Sequence, residues 1–336
     1  MSQRYFRIDD PSELRAAGPT DLIRLVPVPG ANRLYLPKGI LEQLVYAVHH
    51  HELIHVSGPT GSAKSSLLDA LEVHENYLSV CSALGFEDAK PVKLFHVEMV
   101  VFESPAELYQ RRALKNGCTY DEKSILVRAL EQASSEKAHC DPVIWLREMG
   151  RVHSASVQGG LLNLMSKADI VLPNGERIDG RGIAWVADSN YQHDADGIHT
   201  LVTLDDALKR RFTVNPTLDY LAEEQEAQVL EFLMQEQRLR PELFEEIPRI
   251  VKLGAAIRRE RLAGNLQSVP PPTIYGYMAA VRMADALPHL STHDIVQGTL
   301  LGHASVEDGK VAVGVFNEVF GLQADLEEDE VGGNLF

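Results

Sequence analysis

The residues best suited to do chemistry lie in one short segment, Gly58-Pro59-Thr60-Gly61-Ser62-Ala63-Lys64-Ser65, followed by Ser66. Small residues at such spacing let successive backbone N–H groups and a helix N-terminus converge on phosphate oxygens. Lys64 is then expected to reach the β- and γ-phosphates, and the Ser65 hydroxyl to ligate Mg²⁺. The residue before the lysine is usually glycine and is Ala63 here, a small residue that tolerates a helical conformation. The segment predicts a phosphate-binding loop for ATP or GTP.

The elements around this loop are those that it requires. The apolar run Leu53–Val56 ends at Gly58, and helical spacing resumes after the loop, which gives strand, turn and helix. Further strands are predicted at 92–102, 143–146 and 183–186, and helices at 38–51, 104–114, 122–133 and 156–165. Strands separated by helices predict an α/β core built on a parallel sheet.

The character of the chain changes after Asn215-Pro216. Helical patterns then follow at 218–237, 241–262, 273–287 and 292–301, without a convincing strand. Asn174-Gly175 predicts a hairpin near 170–178. The predicted organisation is an extended arm (1–36), an α/β core (37–216), a helical domain (217–320) and an acidic tail (321–336).

In its loop sequence, with Ala63 before Lys64, the chain resembles the MoxR-like AAA+ ATPases. The similarity recurs in order along residues 40–300. The stretch beginning VIWLREM at 143 resembles the second nucleotide motif of that family, and the hairpin at 170–178 its pre-sensor hairpin. IAWVADSN at 183–190 resembles its first sensor, and LDDALKRRF at 204–212 the segment with the arginine finger.

The resemblance implies a role for four residues outside the loop. Glu148 would activate the attacking water, and Asn190 would hold that water against the γ-phosphate. Arg211, with Arg210 beside it, would reach the γ-phosphate of a neighbouring subunit. It also implies a P-loop AAA+ core with a C-terminal all-helical lid, and ATP and Mg²⁺ as cofactors.

Two departures from the family pattern bear on hydrolysis. The acidic pair expected at the second motif is Arg147-Glu148, and an arginine beside a divalent cation has the wrong charge. In the helical domain, Thr273 stands about where the family carries an arginine that senses the γ-phosphate. Both changes weaken hydrolysis more than binding, which leaves open whether this chain is an ATPase.

Three functions are consistent with these motifs. The resemblance implies a ring, a hexamer, that remodels or activates a partner protein, often one with a von Willebrand factor A domain. The alternatives are a nucleic-acid-linked AAA+ protein of the restriction, defence or transposition type, and an ATP-gated scaffold with little hydrolysis. A net charge of −16 disfavours nucleic acid wrapped around the exterior. The charges of residues 167–181 sum to zero, so the hairpin could equally pack subunits or grip a substrate.

Compositional features predict a cytoplasmic protein. It has no apolar run of about 18 residues, and its first residues lack the apolar stretch of a secretory signal. Three dispersed cysteines are expected to be small apolar fillers, and the histidines at 49–51 and 55 are not spaced as metal ligands. The tail ending in Leu335-Phe336 is expected to be solvated, with a docking peptide as the alternative.

Overall fold

The computed structural model describes residues 5–31, 33–115, 117–152, 154–165, 168–190 and 204–322. The chain divides into two compact units, Met1–Asp219 and Tyr220–Phe336. The acidic residues of the predicted tail, from 325 onwards, and its apolar tip lie outside the described residues, as does Lys167 beside the predicted hairpin.

The strands are β1 (Phe6–Arg7), β2 (Leu22–Arg24), β3 (Tyr35–Pro37), β4 (Leu53–Gly58), β5 (Val92–Glu98), β6 (Gln110–Lys115), β7 (Cys118–Lys123), β8 (Asp141–Arg147), β9 (Asp169–Val171), β10 (Arg177–Asp179) and β11 (Ala184–Asn190). The helices of the first unit are α1 (Pro11–Ala16), α2 (Lys38–His49), α3 (Lys64–Leu71), α4 (His74–Leu84), α5 (Ile125–Glu136), α6 (Ala155–Met165) and α7 (Asp206–Lys209). Those of the second unit are α8 (Glu223–Glu236), α9 (Ile247–Leu262), α10 (Ile274–Ala286), α11 (Thr292–Leu301) and α12 (Gly309–Phe320).

A parallel sheet forms the centre of the first unit. Its strand order is β4-β11-β8-β5, and residues 213–217 extend the β4 edge through parallel bridges from Val214 to Ile54 and from Thr217 to Ser57. β8 is buried along almost its whole length, as expected for a parallel strand covered on both faces. The predicted α/β core on a parallel sheet, followed by a unit that is helical in its described part, is confirmed.

Each face of the sheet has its own apolar cluster. One cluster joins Val56 and Val186 to Leu67 and Leu68 of α3, and the other joins Leu146 and residues of α5 and α6. Because side chains alternate along a strand, the residues two positions after Val186 and Val56 lie on the α3 face. These are Asp188 and Gly58.

The N-terminal segment is not the extended arm that was expected. Asp10 caps α1 by accepting hydrogen bonds from the backbone of Ser12 and Glu13, and β1, β2 and β3 form a small sheet. Leu14 and Ile23 are fully buried in the same cluster as α2 and α4. The proline and glycine content marked turns between short elements rather than an unpacked arm.

The helix predicted at 104–114 is wrong. Pro105–Leu108 forms a 3₁₀ turn, and β6 then pairs with β7 in an antiparallel hairpin. Gly117, in the tight connection, has φ +78°, a conformation that glycine adopts without strain. Asn116-Gly117 in the sequence is the same turn signal that located the second hairpin, and it was not used here. The next helix, predicted from 122, begins at 125 after Ser124 caps it.

The hairpin predicted near 170–178 is present. β9 pairs antiparallel with β10, and Gly175 in the turn between them has φ +86°. Lys123 of β7 forms an ion pair with Glu176 in that turn, at 2.6 Å between Nζ and Oε2. The two hairpins are thus joined by a contact between charged side chains.

The second unit consists of helices in its described part. Its core holds one buried ion pair, in which Arg258 of α9 donates to both carboxylate oxygens of Glu226 of α8, at 2.8 and 2.6 Å. Thr273, at the position of the missing arginine, is the N-cap of α10. No helix in the described ranges is both long and apolar enough to cross a membrane.

Candidate nucleotide site

The loop between β4 and α3 has two left-handed residues. Gly61 has φ +79° and Ala63 has φ +68°, so the loop alternates in backbone handedness before the helix begins at Lys64. Such alternation turns successive N–H groups inward to form an anion-binding concavity. The sequence-based reason for accepting Ala63 was therefore wrong, because its conformation is left-handed and not helical. A side chain in that conformation costs about 1–2 kcal/mol.

Gly58 is required by a neighbouring segment of the chain. A Cβ atom at this position would lie 2.0 Å from the carbonyl oxygen of Leu218 and 2.8 Å from Ser62 Oγ. The Leu218 backbone is held there by donating to the Ser57 carbonyl at 2.8 Å. Any larger residue at 58 would displace the end of β4, from which the loop departs.

Lys64 is buried and its ammonium group closes the loop. Nζ donates to the carbonyl oxygens of Gly58 and Pro59, at 2.9 and 2.7 Å, and lies 3.4 Å from Ser62 Oγ. These acceptors belong to the loop itself, so the ammonium group lies within the turn that the loop makes. A nucleotide phosphate bound there would meet a positive charge with little surrounding water.

The start of α3 offers further groups to a bound anion. No side chain in the described residues caps this helix terminus, which leaves its first N–H groups available to a phosphate. The hydroxyl-bearing Ser65 and Ser66 of its first turn are half-buried, Ser62 is buried, and Thr60 is exposed beside Pro59. The loop therefore fits a phosphate chain.

The arrangement is less complete for Mg²⁺. No cluster of three or more histidine, cysteine, aspartate or glutamate side chains able to hold a metal occurs in the part of the chain that the structure describes. A magnesium ion at this site would depend on the Ser65 hydroxyl, on phosphate oxygens and on water, as Mg²⁺ does when it keeps much of its hydration shell.

Asn190 lies directly beside the loop. It is the last residue of β11 and is the register partner of Gly58 on β4. Its half-buried side chain therefore stands at the carboxyl edge of the sheet, one strand from the phosphate loop. This is the edge at which open parallel sheets bind their ligands.

Glu148 follows the end of β8 in a strained conformation. Its φ of +55° is left-handed, and a 3₁₀ turn at 149–151 follows. Its carboxylate is partly exposed and lies 3.4 Å from Arg151 Nη1. The strain persists only where surrounding structure fixes it, and such strain concentrates at functional sites.

Arg147 turns to the neighbouring strand. Its Nη1 donates to Glu98 Oε1 at 2.6 Å, and its guanidinium lies 4.9 Å from the centroid of the Trp145 ring. Glu98 is the register partner of Arg147 on β5, so the pairing follows from the sheet. The arginine has an acidic partner within the chain, which offsets its unfavourable charge near a metal.

Arg210 and Arg211 are both exposed, at the end of α7. This short helix is fixed at both sides. Just before the helix, the backbone N–H of Asp205 donates to Oε1 of buried Gln158 on α6 at 2.6 Å. Just after the helix, Phe212 packs against the His55 ring. The arginines thus project from an anchored segment, a geometry suited to reaching a second molecule.

Sequence reasoning missed two groups at this edge. His55 Nε2 lies 2.8 Å from Ser189 Oγ, and burial lowers the pKa of His55 to about 4. Asp188 is 6% exposed and accepts from Trp145 Nε1 at 2.6 Å. The available signal for Asp188 was a charged residue that directly follows an apolar strand, in IAWVADSN at 183–190. Carboxylates are rarely buried without a partner or a role.

Comparison with known proteins gives distant structural similarity alone. No family model matches the chain, and no curated protein matches it. Among solved structures, the Thermotoga maritima RuvB Holliday junction branch migration motor aligns with 13% identity and a TM-score of 0.45, over 86% of this chain and 83% of that one. The P216G mutant of that protein aligns with 14% identity and a TM-score of 0.47, over 87% of this chain and 83% of that one. The Aeropyrum pernix ORC2 protein aligns with 13% identity and a TM-score of 0.45, over 82% of this chain and 68% of that one. Similarity at this level does not assign a function.

Proposed function

We propose that this chain is a ring-forming AAA+ ATPase that binds ATP with Mg²⁺ and remodels or activates a partner protein. The observation that carries the nucleotide part is the loop at 58–65, which brings together two left-handed residues, a helix N-terminus whose N-cap residue makes no side-chain cap and the buried Lys64 ammonium. The partner, in line with the MoxR-like resemblance, would be a protein with a von Willebrand factor A domain.

The residues at the sheet edge would divide the work. Backbone N–H groups of the loop and Lys64 would bind the phosphates, and Ser65 would hold Mg²⁺, which neutralises charge on the phosphates. Glu148 would accept a proton from the attacking water at its carboxylate, and the Asn190 side chain would orient that water. Arg211, with Arg210, would act on the nucleotide of a neighbouring subunit.

Nucleotide binding is tested by titrating a fluorescent ATP analogue into wild type and Lys64→Ala. We expect the alanine variant to bind about tenfold to a hundredfold more weakly, because it loses charge-assisted hydrogen bonds to phosphate. The matched control is Lys93→Ala. Lys93 is an exposed lysine on β5 of the same sheet, and it forms an ion pair with Glu136 of α5. Equal affinity of Lys64→Ala and wild type would refute the assignment of the loop.

The ring is tested by mixing two inactive variants. Lys64→Ala lacks a working loop and Arg211→Ala lacks the arginine, and each alone should release little phosphate. A mixed ring contains interfaces that pair an intact loop of one subunit with an intact Arg211 of the next, so turnover should partly return. If differently tagged subunits co-assemble and phosphate release stays at the level of either variant, the arginine does not act across an interface.

A second candidate, a nucleotide-gated scaffold with slow or no hydrolysis, is favoured by the residue type at position 147. An arginine stands there in place of the acidic residue that the family pattern supplies for the metal, although the Glu98 carboxylate offsets its charge. Phosphate release distinguishes the two functions, because a scaffold would bind ATP like an ATPase yet release no more phosphate than Lys64→Ala. Stimulation of turnover severalfold by DNA or RNA would instead support a nucleic-acid-linked protein.

A further inference from the structure

His55 lies on β4, the strand that leads into the phosphate loop, and none of the roles proposed above uses it. Because side chains alternate along a strand, its half-buried imidazole lies on the sheet face opposite to that of Val56, which packs with α3. The register partner of His55 on β11 is Ala187, two residues before Ser189. The imidazole therefore shares a sheet face with Ser189, the residue that precedes Asn190.

A hydrogen bond holds the ring on its β11 side. His55 Nε2 lies 2.8 Å from Ser189 Oγ, and Ser189 is buried. Because burial lowers the pKa of His55 to about 4, the ring is neutral at pH 7 and has one donor and one acceptor nitrogen. A hydrogen bond to a ring nitrogen lies near the plane of the ring, so it fixes the orientation of the imidazole while its faces can pack against other side chains.

The other neighbour of the ring is Phe212, which directly follows Arg211. The centroids of the imidazole and phenyl rings are 5.3 Å apart, and their planes are inclined at 32°. This separation is typical of packed aromatic rings. Phe212 is 4% exposed and belongs to the apolar cluster on this face of the sheet. A displacement of its ring would therefore move the adjacent arginine as well.

The segment that carries the arginines is also bonded to the core through its backbone at both ends. After α7, the His55 N–H donates to the Val214 carbonyl at 2.9 Å. Before α7, the Asp205 N–H donates to Gln158 Oε1 at 2.6 Å. These bonds fix the ends of the segment, so the placement of the arginines between them depends on buried side chains such as Phe212.

We propose that His55 is a positioning residue for the arginine segment, in which its ring, oriented by Ser189, holds Phe212 and so sets where Arg210 and Arg211 project. This inference rests on the proposed function, in which Arg211 acts on the nucleotide of a neighbouring subunit. It adds that the strand leading into the phosphate loop of one subunit also places the arginine that serves the next. The two half-sites of one chain are thus connected through β4.

The first test adds His55→Ala to one member at a time of the mixed ring. There the Lys64→Ala subunit supplies the arginine, and the Arg211→Ala subunit supplies the loop. His55→Ala in the arginine-supplying subunit should lower the recovered phosphate release about tenfold, because a small displacement of an acting group removes much of its effect. In the loop-supplying subunit the loss should be less than about twofold, and His55→Ala alone should change affinity for the fluorescent ATP analogue less than about threefold. Equal losses in the two placements, or no loss in either, would overturn the proposal.

Two further variants separate ring packing from a general loss of stability. His55→Phe keeps an aromatic ring against Phe212 without the bond to Ser189, and it should recover at least about half of the release that His55→Ala loses. If folded His55→Phe loses as much as His55→Ala, the ring does not position the segment. The matched control is His96→Ala, which removes an exposed histidine on β5 whose ring packs against Trp145 with centroids 4.8 Å apart. It should leave the recovered release unchanged.

The second test does not depend on turnover. Hydrogen exchange followed by mass spectrometry measures the protection of backbone amides in a peptide that covers 205–214. In His55→Ala these amides should exchange about threefold faster or more than in wild type, whereas a peptide that covers β5 should be unchanged. Equal exchange of 205–214 in both proteins would contradict the inference, even if the protein hydrolyses ATP.

Failure of the proposed function would look different. Wild type would then release no more phosphate than Lys64→Ala, and mixing Lys64→Ala with Arg211→Ala would restore nothing. Hydrogen exchange would still decide whether His55 holds the segment, because that measurement requires neither a ring nor hydrolysis.

Discussion

The two units of this chain bury ionisable groups in opposite ways. In the helical unit, Glu226 receives two hydrogen bonds from Arg258 and lies 3.3 Å from Tyr277 Oη. At the sheet edge of the α/β unit, Asp188 has an indole donor, and His55 is kept neutral because burial lowers its pKa to about 4. The helical unit pairs its buried carboxylate with a cation, whereas Asp188 and His55 form hydrogen bonds with uncharged groups, the Trp145 indole and the Ser189 hydroxyl.

This difference indicates where function lies. The sheet edge also holds Ala63 and Glu148, two left-handed residues with side chains, within the segments that surround the loop. Unfavourable local features persist where chemistry requires them, whereas a structural core resolves its polar groups. We therefore interpret the buried core of the helical unit as structural and the sheet edge as the functional site.

The largest expected effect comes from breaking the pair in the helical unit. Arg258→Met leaves the Glu226 carboxylate buried without its cation, and we expect the free energy of unfolding to fall by about 3–5 kcal/mol. The double variant Glu226→Leu/Arg258→Met removes both charges and should regain most of the loss. Urea unfolding followed by circular dichroism measures both, and equal losses in the single and double variants would show that the pair is not what resolves this core.

A smaller effect is expected from His55, and it depends on pH. The unfolded chain takes up a proton near the ordinary histidine pKa of about 6.5, whereas folded His55 stays neutral until about pH 4. The contribution of neutral His55 to the free energy of unfolding is thus fully present above pH 6.5 and is lost as the pH falls toward 4. Relative to His55→Gln, wild type should lose up to about 3 kcal/mol of unfolding free energy between pH 7 and pH 4.

Denaturant titrations at several pH values measure this difference. Above about pH 7.5 the free energies of the two proteins should run in parallel, because His55 is neutral in both the folded and unfolded states. A difference between wild type and His55→Gln that stays constant from pH 7 to pH 4 would mean that His55 is not buried as the structure shows. The site edge would then lose one of the features that separate it from the helical unit.

Local motifs made the backbone elements around the candidate site predictable. The loop, its flanking strand and helix, and the turn at Asn174-Gly175 each depend on a few adjacent residues whose chemistry specifies the backbone. The hairpin of β6 and β7 was missed because its apolar spacing also fits a short helix, so the Asn116-Gly117 turn alone carried the signal.

Contacts between strands were not predictable in the same way. Arg147 and Glu98 are 49 residues apart, and they meet because β5 and β8 pair in one register. Asp188 and Trp145 are likewise 43 residues apart. The sequence places a charge in an apolar strand, but only the order of strands in the sheet shows what that charge meets.

The smallest effect separates strain at the site from strain elsewhere. Ala63 and Arg238 are both left-handed, the first in the phosphate loop and the second just after the end of α8, where helices commonly use glycine. Substituting either by glycine should raise the free energy of unfolding by about 0.5–1 kcal/mol, because the penalty on the side chain exceeds the entropy cost of glycine.

In nucleotide titrations, Ala63→Gly should change affinity for the ATP analogue, since position 63 sets the direction of the loop N–H groups. Arg238→Gly should leave that affinity unchanged. If both variants gain stability and neither alters binding of the ATP analogue, the left-handed residues near the loop are ordinary turn residues. The contrast between the two units would then rest on the buried ionisable groups alone.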